Sequence, residues 1–95
     1  MGLTLADKKE LESLLKLDKK SLKHIVNFAD KNLPSQASFE DFTYGFTLGL
    51  ILGNFFEKFS LQHNRDLDND ELLDVYFILS LKSPKIRKLL LDQFK

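Results

Sequence analysis

Apolar residues recur at helical spacing along the whole chain, and no stretch shows the strict alternation of a half-buried strand. Leu11, Leu14 and Leu15 make the stripe of a first helix that starts at Thr4 or Asp7 and runs to Lys16, with Glu12 placed four residues before Lys16 as a favourable surface pair. Asp18 then reads as a new N-cap, with Leu17 and Leu22 bracketing it as a hydrophobic staple. The second helix continues to about Leu33, where Pro34 stops it, and lays Leu22, Ile25, Val26, Ala29 and Leu33 along one face. Neither Gly nor Pro separates these two helices, so one bent helix over residues 4–32 is the alternative.

Beyond the loop at residues 34–37 lies the longest apolar pattern. Ser38 caps it, Asp41 completes a capping-box-like spacing, and Asn64 suits the left-handed turn that ends a helix. Charge is absent from Phe42 to Phe56, and Gly45, Gly49 and Gly53 recur at every fourth position. At ~100° per residue, the glycines share a stripe with Phe42, Phe46, Leu52 and Phe56, while Glu40, Thr43, Thr47, Asn54 and Lys58 gather opposite. The pattern therefore predicts glycines in the middle of the buried face. Three mid-helix glycines cost ~3 kcal/mol relative to alanine, so close packing against the strip is expected to offset them. The occupant is either aromatic side chains of the same chain or the backbone of a second protomer. A membrane-spanning dimer motif is disfavoured, because the uncharged run gives roughly 22 Å of helix against a bilayer core of ~30 Å. Glu40, Asp41, Glu57 and Lys58 fence it at both ends.

A turn at residues 64–67 leads to another cap at Asp68, again with a staple of Leu67 and Leu72 and with Glu71 at the third helical position. This helix is expected to reach Lys82. It is apolar nearly all round from Leu72 to Leu81, which predicts the second most buried element. Ser83 followed by Pro84 reads as a restart, opening a fifth helix with Ile86, Leu89, Leu90 and Phe94 inward. The expected fold is all-α: a compact bundle of four to five short helices around a central glycine-bearing hydrophobic helix at about 38–63, forming a single domain over 1–95.

Composition narrows the function classes. With no cysteine, disulfides and thiolate metal sites are excluded. No N-terminal segment joins a basic start to an apolar run, so neither a signal peptide nor a membrane span is expected, and the expected location is cytoplasmic. Gly2 follows Met1, but Ala6 stands where a myristoylation signal has Ser or Thr. The net charge is zero, which argues against general nucleic-acid binding.

Few residues carry candidate chemistry. Asp66, Asp68 and Asp70 resemble the first half of an EF-hand loop, yet Glu71 and Phe77 occupy the positions that need Gly and Glu, and acidic residues at a helix start are ordinary dipole partners. His24 is expected in solvent, and His63 at the carbonyl end of the central helix. Tyr44 and Tyr76 read as core-edge residues. No phosphate-cradling loop and no metal spacing is present, so the expectation is a non-enzymatic protein without cofactor or metal. Lys82, Lys85, Arg87 and Lys88 would open the fifth helix of a helix-turn-helix-like pair, the basis of an alternative reading as a nucleic-acid-binding regulator. Lys88 and Lys95 share their face with Asp92, however. Opposed acidic and basic patches could instead meet head to tail between protomers. Phe28 projects among Ser21, His24 and Lys31, away from its own apolar stripe, and could anchor a partner. The leading expectation is a small interaction or regulatory protein that acts through a helical surface and binds another protein or itself, with Gly45, Gly49, Gly53 and Phe28 as its contact residues.

Overall fold

The computed structural model describes residues 2–35 and 38–93, so Gln36 and Ala37 of the loop, and Phe94 and Lys95 with their expected roles, lie outside the described residues. Four helices follow one another: α1 (Leu5–Leu14), α2 (Lys19–Asn32), α3 (Phe39–His63) and α4 (Asn69–Gln93). No strand occurs among the described residues. The two 25-residue helices, each roughly 37 Å long at ~1.5 Å per residue, set the long dimension of a body measuring 41 × 23 × 21 Å. Helix α3 packs against all three others, and α4 also packs against α2.

Side chains fix the helix boundaries. Thr4 caps α1 in a full capping box with Asp7. Asp18 caps α2 by accepting from the Ser21 N–H at 2.7 Å. Residues 16–18 are not helical, so α1 and α2 are two helices: the Asp18 cap decides against the bent alternative. Ser38 accepts from the Asp41 N–H to start α3, and Asn64 ends it in the left-handed region at φ 54°. Asp68 and Glu71 exchange reciprocal bonds, with Glu71 N–H donating to Asp68 and Asp68 N–H to Glu71.

At Pro84 the structure departs from expectation. Instead of a break at Ser83 there is one helix through residue 93. Proline removes the N–H that would bond the Ser80 carbonyl. Ser80 and Pro84 both lie on the exposed side of α4, where water can take over that carbonyl. Ile86 and Leu90 remain inward, in register with Val75 and Leu79, and this packing carries the helix through.

The core draws on every helix: Leu11 and Leu15, Leu22, then Ile51, Phe55 and Phe59, then Val75, Leu79, Ile86 and Leu90. Along α3 the buried positions are Thr43, Thr47, Ile51, Phe55 and Phe59. The glycine strip therefore points outward, which corrects the expected orientation: Gly45, Gly49 and Gly53 are exposed, and a Cβ added to any of them would meet nothing within 4 Å. The chosen face buries Ile51, Phe55 and Phe59 almost completely, while Phe42, Phe46, Leu52 and Phe56 beside the glycines stay half-buried at its margins. Thr43 and Thr47 can go inside because each hydroxyl donates to the carbonyl one turn earlier, Phe39 and Thr43 respectively, at 2.7 Å. A threonine so bonded presents its methyl group to the core and leaves no unpaired polar atom.

Candidate interaction surface

Three surface features result from this packing. On α3, the outward glycines lie beside Phe46 and Leu50, and Phe46 stacks on Phe28 of α2 with ring centroids 4.9 Å apart. Phe28 is thus 49% exposed but not isolated, as its sequence neighbours had suggested. His24 is exposed, as expected. Same-chain side chains do not fill the glycine strip.

The outer face of α4 is the second feature, and the sequence pattern missed it. An apolar helix was expected to be buried, yet Leu73 (64%), Tyr76 (56%), Phe77 (64%) and Leu81 (63%) stand exposed. The pattern says how apolar a helix is but not how many neighbours a chain of this length can supply. Here α2 and α3 cover one side of α4. Tyr76 is accordingly a surface residue, whereas Tyr44 is half-buried and lies under the Arg87 guanidinium, 5.0 Å from its centroid.

The basic residues diverge around α4 in place of opening a separate helix. Lys82 and Lys85 border a depression shared with Glu12, Lys16 and Leu17 at the end of α1. Arg87 reaches α3, donating to Asp41 at 2.9 Å. Lys88 is exposed on the outer side. Without a turn at Ser83, the helix-turn-helix-like pair does not exist.

A polar corner is the third feature, where the ends of α1, α3 and α4 meet. Arg65 grips the buried Glu71 carboxylate with two bonds of 2.7 and 3.0 Å, and its guanidinium lies 5.2 Å from the Phe59 ring centroid. His63 sits 3.0 Å from Asp7 and stacks on Phe59 at 4.1 Å. The Arg65 bonds, helped by the Asp68 N–H and opposed by burial, hold the Glu71 carboxyl down at about 2. Burial pushes the Asp7 carboxyl up, but bonds from His63 and Thr4 outweigh it and hold it below its ordinary value. Asp7, Glu71 and His63 were legible singly as cap residues or a dipole partner, whereas Arg65 read only as part of a turn and Phe59 carried no signal; that they converge depends on the crossing of three helices, which no local spacing encodes. The corner braces the fold: His63 Nε2 is turned to Asp7, and the Thr4 hydroxyl donates to the same carboxylate.

This corner makes stability depend on acid. A carboxyl whose folded value is depressed contributes stability that is complete above its unfolded value and is lost as pH falls toward the folded one. For Glu71 the window runs from about 4.5 down to about 2. Urea denaturation at fixed protein concentration should show stability falling between pH 5 and pH 3, roughly, in the wild type. Glu71→Gln should cost ~2 kcal/mol at neutral pH and flatten that slope. An unchanged slope would show that Glu71 is not the group responsible.

Comparison with protein-family models, curated proteins and solved structures finds no match to this chain. Among the described residues no helix is long and apolar enough to cross a membrane.

Proposed function

We propose that this is a non-enzymatic interaction protein that works by docking an exposed helical face onto another protein chain, and that it associates with itself. The observation that supports this most directly is the outer face of α4, where four large apolar side chains, each more than half exposed, fall within nine residues. Scattered apolar residues are ordinary on a protein surface, but a contiguous apolar patch marks an interaction site. The outward glycine strip of α3, with Phe28 beside it, is a second surface open to a helix. A net charge of zero removes the electrostatic repulsion that keeps identical chains apart.

Sedimentation equilibrium provides the test. Above roughly 100 µM, where weak interfaces associate, the weight-average mass should rise beyond the 11.0 kDa of one chain. A constant monomer mass to about 1 mM would remove self-association from the proposal.

A further inference from the structure

A cavity of about 310 Å³ lies between the end of α1 and the second half of α4, and it combines an aliphatic floor with unpaired positive charge. We infer that it binds a small amphiphilic carboxylate, with the carboxylate beside Lys82 and Lys85 and a short alkyl tail over Leu17, Ile86 and Leu89. The site lies round α4 from the exposed apolar face on which the proposed function rests, so it stands or falls independently of self-association.

Helix spacing builds the α4 wall. Positions 82, 85, 86 and 89 are related by steps of three and four residues, so they share one stripe of the helix. Along the axis the two lysines come first and the two aliphatic residues follow, over roughly 10 Å at ~1.5 Å per residue. The wall is therefore cationic at one end and apolar at the other. On the opposite side, the turn after α1 supplies buried Leu15, exposed Lys16 and half-buried Leu17. Ile86 is buried as well, and Leu89 is half-buried. The area still open on Leu17 and Leu89 is what an alkyl tail would remove from water. The volume stands at the small end of the ~300–1,000 Å³ typical of ligand cavities, which matches a short chain.

Charge selects the headgroup. At other helix junctions a basic side chain meets an acid across the gap: Lys58 of α3 meets Glu10 of α1, and Arg87 of α4 meets Asp41 of α3. Lys16, Lys82 and Lys85 are exposed, and none has an ion-pair or hydrogen-bond partner among the described residues. Glu12 also borders the cavity and makes no ion pair, so three lysines against one glutamate leave two positive charges in excess. Lys16 follows the carbonyl end of α1, where a cation is an ordinary dipole partner. Lys82 and Lys85 lie inside α4 and have no such role. Two ammonium groups one turn apart favour a carboxylate, which can accept from both, over a neutral or cationic head.

The full chain is titrated at low salt with octanoate, followed through the methyl resonances of leucine and isoleucine. Saturable shifts are expected at Leu17, Ile86 and Leu89, with an affinity at least tenfold above that for octanol. Acetate, which has the head without the tail, should not saturate, and octyltrimethylammonium should bind no better than octanol. Lys82→Ala combined with Lys85→Ala changes two exposed positions. It should keep the wild-type circular dichroism and octanol binding while lowering octanoate affinity at least tenfold.

Octanoate that binds no more tightly than octanol would overturn the assignment, as would an affinity that survives the loss of both lysines. Shifts confined to Leu73 and Leu81 would overturn it too, because the alkyl chain would then lie on the outer face of α4. A wild type that stays monomeric yet binds octanoate as described would remove self-association and leave this site standing.

Discussion

Replacing Gly45, Gly49 and Gly53 together by alanine is expected to stabilise this protein by ~3 kcal/mol. At ~4–8 °C per kcal/mol for a chain of this size, the melting temperature should rise by more than about 10 °C. The reason is backbone entropy: each glycine in a helix interior costs ~1 kcal/mol relative to alanine. The new methyl groups meet nothing within 4 Å, so no clash offsets the gain. Thermal denaturation of the triple variant checks the value, and a loss of stability would show that the strip is covered. The same variant also tests the interface. If self-association uses the outer face of α4, it should survive the three substitutions. If the second copy lay on α3, three methyl groups would hold its backbone away and association would fall.

That prediction exists because the structure reverses a reading of the sequence. The helix of residues 39–63 was legible to within a residue at both ends, since Ser38, Asp41 and Asn64 mark its caps by local chemistry. Its rotation was not legible. A stripe repeating at every fourth residue advances about 40° per step around the helix, and two such stripes compete here: the glycines with their flanking rings, and Thr43, Thr47, Ile51, Phe55 and Phe59. Counting threonine as polar assigned the second stripe to solvent. Two bonds to carbonyls one turn back make Thr43 and Thr47 behave as apolar residues, and their faces turn inward.

The same limit applies to α4. Ser83 and Pro84 form a sound local start signal, yet inward Ile86 and Leu90 extend the register of the preceding turns, and tertiary packing outweighs one missing hydrogen bond. Apolarity all round α4 was visible in the sequence. What it signified was not, because a monomer with four helices covers only part of the helix, and the remainder is the surface on which the proposed function rests.

Phe59→Ala is expected to be among the most damaging single substitutions, costing ~3–5 kcal/mol against a total of ~5–15 kcal/mol for a domain of this kind. The ring is 1% exposed and packs against Phe55 with centroids 6.2 Å apart. It also supports the polar corner: His63 stacks on it and the Arg65 guanidinium lies against it. Truncation therefore opens a cavity and loosens the two side chains that hold the Asp7 and Glu71 carboxylates. The two losses should be coupled. In a double-mutant cycle with Glu71→Gln, the combined cost should fall short of the sum of the single costs by ~0.5 kcal/mol or more, and the acid dependence of Phe59→Ala should be shallower than that of the wild type. Phe55→Ala, equally buried but without contact to His63 or Arg65 among the described ring contacts, should cost a similar amount and leave the acid dependence unchanged. Strict additivity between Phe59 and Glu71 would mean that the corner holds its geometry without the ring beneath it.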